Sequence, residues 1–159
     1  MLCFDENGQV IDVPGEPAGI RPAVYGILIE NDQVLLQPHP RSGLWQPPGK
    51  VLDPDEAPGS AVRRCFQTAA GILPAITGLL LTEDRYWLDE VGKAWRLSVL
   101  YYALKRPTAG VAGMIDFDNP ARPEWFPLEN LSREKMQFGY EAVQAGRIRA
   151  EFVPAISKQ

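Results

Sequence analysis

Carboxylates are dense just before one segment of the chain and missing from the segment itself. Asp53, Asp55 and Glu56 cluster within "LDPDEAPGS", whereas residues 57–72, "APGSAVRRCFQTAAGI", contain no Asp or Glu. An acidic cluster of this kind can hold a divalent cation, or it can cap a helix and offset the positive end of its dipole. Cys65 is a nucleophile by type, but no histidine neighbours it and only Arg64 could lower its pKa, so packing is the favoured reading. The single histidine, His39, excludes a His-rich metal site. Trp87, Tyr101 and Trp125 have π faces on which a nucleobase could stack, although aromatics in strands ordinarily fill cores.

These residues need elements to position them. "FDENGQVID" places Asn-Gly between two short apolar-bearing pieces, which predicts a hairpin whose turn residues both tolerate positive φ. "AVYGILIE" and "QVLLQ", joined by Asn31-Asp32, predict a second hairpin. "PHPRSGLWQPPGK" holds four prolines and two glycines, so irregular structure is expected there. Asp55 can cap a helix that starts at Glu56, tolerates Pro58 in its first turn, and stops at Gly71 before Pro74. "AITGLLLTEDRYWL" and "AWRLSVLYYALKR" read as long strands around a turn at residues 89–93, and "PEWFPL" as a shorter one. "SREKMQFGYEAVQAGRI" predicts a last helix capped by Ser132, with Met136, Tyr140, Val143 and Ile148 on its apolar side. Strands, helix, strands, helix make an α/β fold in which each helix covers one face of a mixed sheet.

On these motifs the chain resembles a Nudix hydrolase. The box pattern of that family is Gly, five residues, Glu, seven residues, Arg-Glu, an apolar residue, any residue, Glu-Glu, any residue, Gly and an apolar residue. Glu56, Arg64, Phe66, Gly71 and Ile72 match it, and Lys50 stands where the first Gly belongs, directly after Gly49. Upstream, "VLLQPHPRSGLWQPPGK" is similar to the family's strand, basic loop and Trp-x-x-Pro-Gly entry. Downstream, "EWFPLENL" resembles its late strand with Trp125. The resemblance spans roughly residues 20–150 and implies a Nudix-type α/β/α sandwich.

It also implies an activity: hydrolysis of a nucleoside diphosphate linked to another group, through water activated by metal. The family's metal-binding carboxylates fall at Cys65, Thr68 and Ala69, and a register shifted by one residue gives Arg64, Gln67 and Thr68. Either way the acids are gone. Magnesium is held by carboxylate, phosphate and water oxygens, so no metal is expected at this helix. Magnesium or manganese would require acids from outside it, with Glu56, Asp116 and Asp118 as the catalytic candidates, the two aspartates because the family can draw a base from a loop there. The resemblance makes His39, Arg41, Lys50 and Trp125 candidates for substrate contact. It leaves Gly49, Glu56, Arg64 and Gly71 as scaffold, Gly49 permitting a tight turn, Gly71 the helix stop, and Glu56 with Arg64 tying loop to helix.

Three functions remain in view: a hydrolase, a non-catalytic module that binds a nucleotide-like small molecule or a protein, and an assembly role in which a homodimer is open. The 159 residues are 45% hydrophobic and suffice for one domain, with residues 1–19 as an N-terminal hairpin or extension. A net charge of −4 disfavours sequence-independent nucleic acid binding. The longest apolar run, "ILPAITGLLL", is ten residues long and interrupted, too short for a membrane span. The start "MLCFDENGQV" does not read as a secretory signal, and Cys3 and Cys65 form neither a disulfide framework nor a zinc pattern, so a reducing cytoplasm is expected.

Overall fold

The computed structural model describes residues 1–107 and 122–157. Among them the strands are β1 (Leu2–Phe4), β2 (Val10–Asp12), β3 (Ile20–Glu30), β4 (Gln33–Pro38), β5 (Trp45–Gln46), β6 (Gly49–Val51), β7 (Ala75–Leu88), β8 (Ala94–Lys105) and β9 (Glu124–Pro127). The helices are α1 (Pro58–Ala70) and α2 (Tyr140–Ser157). None of the described helices is long and apolar enough to cross a membrane.

The sheet is mixed and runs β2-β1-β7-β8-β3-β4-β5, with β6 added to β3 and β9 to β4. β3 is its centre, parallel to β8 and antiparallel to β4 and β6. Alternation along β3 divides the core, because successive side chains leave opposite faces of a strand. Val24 and Leu28 join Leu35, Leu104, Val62 and Phe66 under α1. Ala23, Tyr25 and Ile27 join Val34, Leu36, Val99, Tyr101 and Val143 under α2. This is an α/β/α sandwich. Gly26 lies on the α1 face, where a Cβ would collide with Leu104 Cδ1 and stand 2.6 Å from Phe66 Cε2. A side chain there would hold α1 off the sheet.

Three turns follow their sequences. Asn31 and Asp32 both take positive φ, 51° and 59°, and close the β3–β4 hairpin in two residues. In the first hairpin Gly8 takes the left-handed conformation, φ 79°, while Asp5 Oδ1 accepts the Asn7 and Gln9 N–H groups, so the turn needs one such residue and not two. The turn between β7 and β8 repeats the device, with Gly92 at φ 82° and Asp89 Oδ1 accepting from Val91 and Lys93.

Element starts and short strands differ from expectation. α1 begins at Pro58, two residues later than predicted, with Ala57 as its N-cap and no side chain capping it. Asp55 does not cap it because the chain first makes a turn in which the Glu56 N–H donates to Asp53 O at 3.0 Å. The proline-rich segment is not wholly irregular. Its buried Pro47 and Pro48 separate β5 from β6, and each strand pairs where no proline N–H is needed. The last helix begins at Tyr140 and not after Ser132, since Gly139 at φ 87° interrupts the helical path. Residues Arg133–Lys135 form a 3-10 turn, Ser132 makes no capping bond, and Met136 enters the core beside Trp45.

Candidate functional site

The cleft begins where β6 hands the chain to α1. Gly49 pairs with Tyr25, and a Cβ there would strike the Val24 carbonyl oxygen and stand 2.6 Å from Tyr25 Cα. The requirement is close backbone approach within a strand. This corrects the expectation of a tight turn at Gly49. It also means that six residues, not five, separate the sterically required glycine from Glu56. The extra length lets the segment fold back, so that Lys50 in the middle of β6 and Glu56 before α1 face each other.

Lys50 Nζ stands 2.6 Å from Glu56 Oε1, which also accepts the Asp53 N–H at 2.9 Å. Glu56 Oε2 is 4.0 Å from Arg64 NH1, at the outer limit of an ion pair. Loop and helix are therefore tied chiefly by Lys50 and the Asp53 amide. The Arg64 contact is weak, since its side chain is 62% exposed and exposed pairs contribute about 0–1 kcal/mol. The Lys50 hydrogen bond, then the Asp53 amide, hold the Glu56 carboxyl down at about 2. Such a carboxylate is ionised but too weak a base to take a proton from water efficiently at neutral pH.

Gly71 ends α1 in the left-handed conformation, φ 68°, with its N–H donating to Gln67 O at 2.9 Å. Between these ends the helix shows two stripes. Val62, Phe66 and Ala70 are buried on the sheet, while Ala61, Arg64, Cys65, Thr68 and Ala69 line a cleft of about 390 Å³ with Gln37, Gly49, Lys50 and Glu56. Gln37 is the lining residue the motif reading missed. The available signal was period-two alternation in "QVLLQP", where Gln37 shares a face with Leu35, which packs under α1.

The donor set does not fit a divalent cation. At the three box positions stand a half-buried thiol, a hydroxyl and a methyl group, and burial pushes the Cys65 thiol up despite the Lys50 charge nearby. Glu56 is already occupied by an ammonium group. Among the described residues no three His, Cys, Asp or Glu side chains converge. Asp116 and Asp118 lie outside the described residues.

The other candidates are placed elsewhere. His39 Nδ1 accepts the N–H groups of Arg41 and Ser42 at 3.3 and 3.1 Å, which folds its own loop. Burial, helped by the Arg85 charge, pushes its pKa down, so at neutral pH it is an uncharged acceptor. Arg41 is exposed and pairs with Glu6 at 3.5 Å. Neither His39 nor Arg41 lines the cleft. Trp125 is half-buried opposite Leu35 on β9, at the edge of the α1 core. Tyr101 is fully buried and donates to Glu83, while Trp87 and Trp95 flank Arg21 at 5.7 and 5.6 Å.

An α/β/α sandwich whose strand, loop and helix frame a cleft is the architecture of the Nudix class. The NUDIX domain family matches residues 19–145, and the chain belongs to that family. Similar solved structures include a MutT NUDIX hydrolase from Burkholderia pseudomallei, at 24% identity and TM-score 0.52, covering 84% of this chain and 98% of that one. An ADP-ribose pyrophosphatase from Streptococcus suis is 14% identical at TM-score 0.58, covering 82% and 90%. The NUDIX domain of Shewanella oneidensis NrtR, in complex with ADP ribose, is 20% identical at TM-score 0.59, covering 86% and 90%. At these identities the likeness establishes the fold. No curated protein matches the chain.

Proposed function

We propose that this chain is a Nudix-fold binder of a nucleotide-like small molecule that lacks the metal-dependent hydrolysis typical of its fold. The observation that supports this is the composition of the cleft stripe on α1. Cys65, Thr68 and Ala69 stand where a catalytic helix would present carboxylates, and the cleft they line is retained with a volume of about 390 Å³, within the range of small-molecule sites. Glu56 keeps the loop in place through Lys50 and is spent on that role. The likeness to a domain bound to ADP ribose and to an ADP-ribose pyrophosphatase makes ADP-ribose the first ligand to test.

The test is turnover. Purified protein incubated with ADP-ribose and other nucleoside diphosphate compounds, in magnesium or manganese, is expected to release no more product than its Glu56→Gln variant. Robust hydrolysis that a chelator abolishes would overturn the reading. A rise in melting temperature with ADP-ribose would support binding, because a ligand selective for the native state stabilises it by mass action.

A further inference from the structure

We infer that the outer edge of β7 is a strand-pairing surface for a second copy of this chain, and that Arg149 on α2 gates it. β8 pairs with β7 from Ala75 to Leu88, whereas on the other side β1 meets it only through Phe4 and Trp87. Among the described residues, positions 75–84 therefore have no strand on their outer side. A free edge presents N–H and C=O groups that pair with another chain unless something blunts them. Charged side chains and proline are the usual means, and residues 75–82, "AITGLLLT", contain neither. Leu73, Ile76 and Leu79 add exposed aliphatic surface along the same stretch.

What blocks this edge is a side chain from another element. Arg149 Nη2 donates to Thr77 O at 2.6 Å, and the guanidinium lies so close over Gly78 that a Cβ there would stand 2.7 Å from Nη2. The β7–β8 register shifts on both sides of this contact, between Ile76 and Gly78 and between Leu79 and Leu81, which bends the edge. Arg149 Nε is buried without a partner, so the contact closes the edge while leaving a donor unsatisfied. With the guanidinium withdrawn, a copy of the same edge turned antiparallel about a two-fold axis sets each row of amides and carbonyls against the other and brings Leu79 near its counterpart. A strip about 33 Å long and one strand spacing of about 4.8 Å wide is far below the area of about 800 Å² per partner in a stable interface. The exposed aliphatics enlarge it only modestly. Such pairing is weak enough for one side chain to decide it.

Light scattering after size exclusion, over a range of protein concentrations, tests this. Arg149→Ala is expected to dimerise at least about tenfold more tightly than the parent chain, with amide exchange at residues 78–84 slowed in the dimer. Arg149→Gln, too short to cover Gly78, behaves alike and takes its place should the alanine variant unfold. Losing a positive charge from a chain of net charge −4 increases self-repulsion, so the association gained is not electrostatic. Adding Leu79→Lys, at an exposed position, restores the monomer because like charges then meet across the two-fold axis. The inference is overturned by variants that stay monomeric, by a parent chain that dimerises as tightly as they do, or by open-ended aggregates in place of dimers. Dimers whose exchange at residues 78–84 is unchanged, or that persist with Leu79→Lys, overturn it as well.

Discussion

Lys50 Nζ lies 2.6 Å from Glu56 Oε1, and this contact joins the middle of β6 to the turn that leads into α1. It makes the box glutamate a structural anion. The carboxylate is 15% exposed, holds the Asp53 amide as well, and has little capacity left for a metal or a proton.

The contact predicts a defined pH dependence. Glu56 is held down at about 2 from an ordinary value of 4.5, so the folded state binds its proton less readily than the unfolded chain. Its contribution is fully present above pH about 4.5 and is lost as pH falls toward about 2. The melting-temperature gap between the protein and Glu56→Gln should therefore be constant near neutrality and close through this acid window. A gap independent of pH would contradict the assignment.

Gly49→Ala and Gly26→Ala should each destabilise the fold, for different reasons. At Gly26 the added methyl meets the side chains of Leu104 and Phe66, which can shift, so a cost of about 1–3 kcal/mol is expected. At Gly49 it meets the Val24 carbonyl oxygen and the Tyr25 Cα, which are backbone and cannot. Thermal denaturation should rank Gly49→Ala below Gly26→Ala, and both below the parent.

Arg85 anchors the N-terminal hairpin. Its guanidinium lies 3.8 Å from the Phe4 ring centroid and 4.0 Å from that of Phe138, between a hairpin residue and the segment before α2. β1 otherwise meets β7 through the pair Phe4 and Trp87. Arg85→Lys keeps the charge and loses the stacking plane, at a cost of about 1 kcal/mol. Amide hydrogen exchange at residues 2–4 should accelerate in that variant while β3 and β8 stay protected. Unchanged exchange at residues 2–4 would show that the stack does not hold the hairpin.

The sequence made the box stripe legible because helical spacing alone brings Cys65, Thr68 and Ala69 to one side, whatever the helix packs against. Gly71 was equally plain, since a left-handed cap has few alternatives to glycine. Helix starts were harder. Asp55 and Ser132 have the right side chains for caps, but tertiary contacts decided otherwise: Glu56 turned to Lys50, and Met136 was drawn into the core ahead of Gly139. Gly49 was recognisable as necessary, but the reason, the adjacent β3 backbone, is a long-range fact. His39 could not be assigned from composition, because its Nδ1 is used by a bend that only the folded loop defines.

The most direct measurement is a manganese titration followed by paramagnetic broadening of backbone amide signals along α1. A helix without carboxylates in its cleft stripe predicts no saturable, site-selective broadening at Cys65, Thr68 and Ala69. Saturable broadening centred on those residues, reversed by chelator, would mean that acids from elsewhere complete a metal site, and would contradict the account.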